Sequence, residues 1–336
     1  MTYLDLDAQP GGGRAQLVAT IGPRSAGLVR EMGAGGATAF RINASHLRAE
    51  ALAALLDSVA AACPGAPVVV DLQGAKMRLG WIAPRAVAPG ERLRFSLDAS
   101  EGLPLPHPEL YRQAEPGDTL SVDDGRLRLE VERTWPSAFE ARALGDGTLA
   151  PRKGVNVEQH PVRLEGLTPP DREALAIAAG RGVRAFAFSF MATGDEARWV
   201  REQVPGARVV GKVERDEALR VLGAIAAQTD AVWVCRGDLG AQLGPERLAR
   251  EVAAVAPHTV HVPVLMAGQV LQHLVDHAEP TRSEVCHLHD LLARGYAGIV
   301  LSDETALGAD PAGAVRTAAS LLAALTPPAP AAPRWT

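Results

Sequence analysis

The stretch ARVVGKVERDEALRVLGAIAAQTDAVWVCRGD, residues 207–238, decides the fold. ARVVGKVE is apolar and rich in valine and reads as a strand. RDEALRVLGAIAAQ carries the spacing of a helix, and AVWVCRGD is a second strand. Both strands stop on acids: Glu214 ends the first, and Asp238, between Gly237 and Leu239-Gly240, ends the second in a Gly-rich turn. A carboxylate with bare backbone beside it suits a short helix start whose N–H groups approach an anion while the acid holds a metal.

The same alternation extends in both directions. QLVATIG (16–22), ATAFRIN (37–43) and APVVVDLQG (66–74) read as strands, with SAGLVREMGAGG and LRAEALAALLDSVAAAC as helices between them. VRAFAFSF (183–190), VPVLMAG (262–268) and AGIVLSDE (297–304) complete the strands, and DREALAIAAG adds a helix. Eight such units predict an α/β fold, a (β/α)₈ barrel with its site at the C-terminal strand ends. A doubly wound sheet would have fewer strands and ranks second. Residues 81–157 break the rhythm: ERLRFSL, DTLSVDDGRLRLEVE and AFEARAL are strands joined by Pro, Gly and Asp turns. They predict a β-rich domain inserted after strand three and suited to act as a lid. The expected organisation is a barrel over 1–80 and 158–325, an insert over 81–157 and a Pro-rich flexible tail over 326–336.

Composition agrees with an enzyme of this class. Of 336 residues 47% are hydrophobic, but only 4% are aromatic, so Ala, Val and Leu must build the core. A net charge of −5 gives no broad attraction to nucleic acid or anionic membrane. No apolar run approaches membrane-spanning length, and MTYLDLDAQPGGGR has no signal-peptide core, which predicts a cytoplasmic protein. Cys63, Cys235 and Cys286 are too scattered for a disulfide framework or zinc cluster and read as small buried or half-buried hydrophobes.

The strand ends hold the chemistry. In order they offer Thr20 and Pro23; Arg41, Asn43, Ser45 and His46; Asp71 with Lys76 and Arg78; Ser189; Lys212 and Glu214; Asp238; Gly268 and Gln269; Ser302, Glu304 and Thr305. Charges at nearly every strand end are hard to explain as packing. Glu214 and Asp238 are hard oxygen ligands suited to Mg²⁺ or Mn²⁺. Arg41, Arg78 and Lys212 can hold a phosphoryl group. His273 and His277, four apart, read as a solvated helix face. His287 and His289 are candidates for an interface, GGGR (11–14) for linker and VDDG (122–125) for a hairpin turn.

The strings ATIGP, FRINASH, VVDLQGAKMRLG, VDDG, RKGVN, FSF, GKVE, CRGDLG, PTRSE and LSDET, in this order, resemble the motifs of the pyruvate kinase family from about Gln16 to Leu325. The resemblance implies a barrel with a β lid and phosphoryl transfer from phosphoenolpyruvate to ADP, giving pyruvate and ATP. It implies Glu214 and Asp238 as ligands of a divalent metal, and Arg41 and Lys212 on the transferring phosphoryl group. Arg78 would act on the nucleotide phosphates. Gly237 and Asp238 would hold the substrate carboxylate, with Ser189 and Gly268 beside it. Asn43, His46, Asp123, Lys153 and Asn156 match nucleotide-side positions. Asn43, Ser45 and Asp71 match a monovalent-cation site. There the set Leu72, Gln73, Lys76 and Leu79 is similar to the potassium-independent branch. The Lys76 ammonium would replace K⁺.

Departures from the family pattern are specific. The family's C-terminal domain has no counterpart after the eighth barrel helix, which implies loss of sugar-phosphate activation and of that domain's oligomer contacts. Self-association, if any, would use barrel faces. Gly268 replaces a Thr whose hydroxyl is one donor, a loss of about 10²–10³ in rate. Asp303 and Leu47 replace glycines, and CHLHD (286–290) replaces an SDVAN-like run. The leading expectation is a Mg²⁺- and ADP-dependent, K⁺-independent pyruvate kinase-like enzyme. Lys212, or a water held by Ser302 and Glu304, would protonate the enolate. A metal-dependent pyruvate-enolate lyase or decarboxylase, its pocket widened by Gly268, is the alternative. A non-catalytic paralogue has no need of Arg41, Lys212, Glu214 and Asp238 together.

Overall fold

A computed structural model describes residues 15–123 and 125–326. The described residues divide into two compact units, one from residue 15 to Gly74 and from Gly166 to Thr326, the other Ala75–Glu165.

The first unit is a closed barrel. Its strands are β1 (Gln16–Ile21), β2 (Ala39–Asn43), β3 (Val68–Leu72), β4 (Ala185–Phe188), β5 (Arg208–Val213), β6 (Ala231–Cys235), β7 (Val264–Ala267) and β8 (Gly298–Leu301). They pair in parallel in that order, and β8 closes on β1. The helices are α1 (Val29–Ala34), α2 (Ala49–Ala62), α3 (Pro169–Gly180), α4 (Glu196–Gln203), α5 (Asp216–Arg220), α6 (Leu222–Gln228), α7 (Arg236–Ala254), α8 (Arg282–Ala293), α9 (Asp303–Ala306) and α10 (Pro311–Leu325). All strands are buried on both faces, which explains their continuous rather than alternating hydrophobicity. Aromatics are few but well used: all six phenylalanines are buried, as is Trp233.

Several local expectations change. The predicted single helix at 215–228 is two, broken at Val221. The Gly-rich segment after β6 is the first turn of a long helix: α7 begins at Arg236 and kinks where Gly244 (φ 71°) precedes Pro245. His273 and His277 do not share an α-helical face. Residues Gln272–Val275 form a 3₁₀ turn, and the two rings stack at 3.7 Å. Cys286 is exposed, not buried. The GGGR segment and residues 327–336 of the predicted tail lie outside the described residues.

The second unit carries a seven-stranded sheet, in the order Met77–Arg78, Gly154–Val157, Thr119–Val122, Leu127–Trp135, Ala138–Ala143, Arg92–Ser96, Leu103–Pro104. Phe95 and Tyr111 pack on Phe139 with centroids 5.2 and 5.3 Å apart. Met77 and Arg78 pair with Val155 and Gly154, so this unit starts at Ala75 and not at 81.

The chain leaves β3 through a fixed exit. Asp171, in the first turn of α3, accepts from the backbone N–H groups of Gln73 (2.8 Å) and Gly74 (3.1 Å) and from Thr168 Oγ1 (2.7 Å). Burial raises the Asp171 pKa to about 6 despite those donors. Gly74 has φ +56°, and a Cβ there would stand 2.0 Å from the Ser189 carbonyl oxygen. Gly74→Ala is therefore expected to cost more than about 2 kcal/mol in chemical denaturation. An unchanged midpoint would contradict that account of the exit.

Candidate functional site

Alternate residues of each barrel strand face the axis. Val18, Ala39, Val69, Ala185, Ala187, Val210, Ala231, Trp233, Cys235, Leu265, Ala267 and Val300 form one buried cluster there. Continuing the two-residue period toward the C-terminal ends brings up Thr20, Arg41, Asp71, Ser189, Lys212 and then Glu214. The same parity that fills the barrel thus turns polar at its mouth.

These side chains meet on one carboxylate. Arg41 donates from Nε to Asp71 Oδ2 (2.8 Å), and its Nη2 lies 2.6 Å from the same oxygen. Lys212 Nζ is 3.0 Å from Asp71 Oδ2, 2.8 Å from Ser189 Oγ and 3.0 Å from Glu214 Oε1. Ser189 Oγ donates to Asp71 Oδ1 (3.1 Å), and Arg41 Nη1 donates to Thr20 Oγ1 (3.1 Å). Glu214 Oε2 accepts the N–H of Phe190 (2.8 Å), a residue held at φ +56°. The Asp71 side chain is 1% exposed and that of Lys212 7%.

Electrostatics follow from that geometry. Burial alone would raise the Asp71 pKa, but Lys212 and Arg41 outweigh it and hold the carboxyl below its ordinary value. Burial would lower the pKa of Lys212, yet Asp71 and Glu214 raise it above that of a free lysine. Lys212 is a firmly held cation, which counts against it as a proton donor. Cys235 lies among these groups, and burial, then Glu214, push its thiol well above the ordinary value.

The remaining predicted residues divide by unit. In the barrel, Asn43 Oδ1 accepts from Ser45 N (3.1 Å) and Oγ (2.8 Å), capping the turn Ala44–His46, whose His46 is exposed. Of the residues expected at a monovalent-cation site, Asn43 and Ser45 bond each other and Asp71 pairs with Arg41 and Lys212. Gly237 and Asp238 sit in the first turn of α7. Glu214 is engaged by Lys212 and Phe190. Among the described residues no three His, Cys, Asp or Glu side chains group as a metal cage. Glu304 is fully buried and accepts from Ser302 N (2.7 Å) and Leu271 N (3.2 Å), which makes it a loop anchor and not an open relay. Gly268 adopts φ +80°.

In the inserted unit Lys153 Nζ pairs with Asp123 Oδ1 (2.8 Å), and Asp123 N donates to Gly154 O (3.1 Å), two residues from Asn156. Arg78 is buried and donates from Nη1 to Arg152 O (2.9 Å), while its backbone N–H donates to His107 Nε2 (2.8 Å). Burial lowers the His107 pKa to about 4 and keeps the ring neutral. Lys76 is half-buried in this unit. The sequence reading missed Cys235, Arg236, Asp171 and His107 as structural partners. Two had a signal: Cys235 shares the parity of Trp233, and Thr168-Pro-Pro-Asp171 has the spacing of a helix cap.

A closed parallel barrel with paired cations and carboxylates at its C-terminal mouth is the architecture of an α/β-barrel enzyme. Residues 13–315 match the pattern of the family described as "Pyruvate kinase, barrel domain". Pyruvate kinases of Agrobacterium vitis are 32% and 33% identical over 314 and 318 residues, covering 89% and 90% of this chain. One from Mycobacterium tuberculosis is 31% identical over 96% of it. The chain belongs to the pyruvate kinase family. It spans 66% of the length of the two Agrobacterium vitis relatives and 72% of the mycobacterial one.

Because the Asp71 carboxyl is held low, its stabilisation is complete above the ordinary value of 3.8 and is lost as pH falls through the lower folded value. Asp71→Asn leaves Arg41 without its carboxylate and Lys212 with Glu214 alone. Urea denaturation near neutral pH should show a loss of about 3–5 kcal/mol, with less acid sensitivity remaining. Wild-type stability in this variant would refute the network's importance.

Proposed function

We propose that this chain transfers the phosphoryl group of phosphoenolpyruvate to ADP, giving pyruvate and ATP, as a cytoplasmic, divalent-metal-dependent enzyme. The observation that supports it most is the Arg41–Asp71–Lys212–Glu214 arrangement, a mouth with buried Lys212 and half-buried Arg41 fixed on rigid strands. Fixed cations stabilise charge as it moves between oxygens in phosphoryl transfer. Arg41 and Lys212 are assigned to the phosphoryl group, Ser189 orients Lys212, and the Gly237–Asp238 turn and Gly268 take the substrate carboxylate side. Asn43 and His46, in the barrel, are assigned to the nucleotide.

A magnesium or manganese ion fits the donor set. Glu214 and Asp238 offer hard carboxylate oxygens, the donor type these ions take. Mg²⁺ takes one or two carboxylates plus substrate oxygens rather than a protein cage. Glu214 and Asp238 would hold it, Glu214 by exchanging its Lys212 contact. When bound it supplies Lewis-acid polarisation of the phosphoryl oxygens. The β-phosphate oxygen of ADP forms the new P–O bond as the enol oxygen leaves. The enolate then takes a proton at carbon to become pyruvate.

Two cations already on Asp71 support independence from K⁺. Initial rates in sodium or choline salts should stay within about twofold of those in potassium salts, since added K⁺ has little left to neutralise. Strong activation by K⁺ would defeat this.

Purified protein given phosphoenolpyruvate, ADP and Mg²⁺ should release pyruvate and ATP in equal amounts. Lys212→Met should lower kcat by about 10²–10³. Pyruvate without ATP, or formed only from an oxo acid, would assign the barrel to lyase or decarboxylase chemistry. Neither product, with Mn²⁺ still taken up, would leave a binding role.

A further inference from the structure

Arg236 opens α7 and sends its guanidinium to the end of β7. Nε and Nη2 donate to the carbonyl oxygen of Gly268 at 3.1 and 2.9 Å, and Nη2 also donates to that of Gln269. Nη1 lies 2.8 Å from Nε2 of His287, on α8. One side chain therefore ties together three consecutive parts of the barrel rim. Among the described residues no carboxylate forms an ion pair with it.

The loop it grips is strained. Gly268 and Gln269 are both left-handed, at φ +80° and +53°, a costly state for glutamine. Both of their carbonyls end on Arg236. A Cβ on Gly268 would stand 3.5 Å from the backbone nitrogen of Gly237, so the loop packs directly on the first turn of α7.

The His287 contact has only one chemical form. A guanidinium donates and never accepts, so Nε2 is the acceptor and the ring proton sits on Nδ1. The charged groups facing the ring are Arg236 from α7 and Asp290 and Arg294 from the end of its own helix. Burial, then Arg236, lower its pKa, with Asp290 opposing. The ring also lines an open cleft of about 630 Å³ between α7 and α8, so solvent protons reach it.

We propose that Arg236 is a positioning residue that fixes the Gly268–Gln269 loop against the Gly237–Asp238 turn, and that neutral His287 completes its acceptors. This rests on the reading above that the turn and Gly268 face phosphoenolpyruvate. Protonation of His287 sets two cations 2.8 Å apart and frees the loop.

Steady-state kinetics over about pH 5.5–8, with an NMR titration of the His287 ring, test this, since Nε2 must be unprotonated to accept. In wild type, KM for phosphoenolpyruvate should rise about tenfold as His287 protonates, with KM for ADP steady, the size of losing one well-placed contact. Arg236→Met should show the raised KM at every pH and move the His287 pKa up toward the ordinary 6.5. Arg236→Lys, which keeps the charge but cannot span three acceptors, should move both in the same direction and serves if the Met variant fails to fold. His287→Gln, a non-titrating acceptor, should abolish the acidic rise. The proposal is overturned if the Gln variant keeps that rise, or if loss of Arg236 changes both KM values alike. Should the wild type make no pyruvate or ATP, the kinase reading falls and the ring titration alone decides. A His287 pKa unmoved by Arg236→Met then overturns the clamp, and a raised one supports it.

Discussion

A single carboxylate, Asp71, holds the mouth of the barrel together. Arg41 from β2 and Lys212 from β5 share its Oδ2, and Ser189 takes Oδ1. None of these groups could be buried alone, because an unpaired ion in a dry interior costs several kcal/mol. With Glu214, which also pairs with Lys212, their charges balance and each group requires the others. Three strands thereby have their ends fixed relative to one another by side chains as well as by the sheet. Rigidity of that kind would serve the proposed phosphoryl transfer, since charged groups fixed on strands need little reorganisation when a reacting group arrives.

Around this centre the rim is organised by buried groups that end on backbone rather than on substrate. Asp171 holds the exit of β3, Glu304 joins Ser302 to Leu271, and Glu214 holds Phe190 N–H. Each anchors a loop through its carboxylate oxygens. Carboxylates at such positions look catalytic in a sequence, but here several act as carpentry for neighbouring loops.

Strand content and strand ends were legible because barrel strands, buried on both faces, appear as short apolar runs that stop on polar residues. Their place at strand ends also singled out Arg41, Lys212 and Glu214, which the structure groups with Asp71. What the sequence could not supply was choice of partner. Nothing in the letters around Glu214 says that its oxygens face Lys212 and the N–H of Phe190, because those contacts depend on turn geometry after β4. Asp71 meets Lys212 across 141 positions. Arg236 was overlooked for a similar reason: its neighbours Gly237 and Asp238 drew the reading, while its own acceptors lie on other elements. Helix limits failed where backbone, not hydrophobicity, decides, as at Val221 and Gly244.

The inserted unit bears on how the chain assembles. β3 must pair with β4, yet residues Ala75–Glu165 are made between them during synthesis. The unit has its own aromatic core, and its early strand Met77–Arg78 pairs with its late strand Gly154–Val157. Folding it draws its two ends together, so the emerging polypeptide meets a short effective gap instead of a long floppy one. The entropic penalty for closing the barrel then falls to that of a brief connection. Vectorial translation would make this unit a splint, set before the ring is joined.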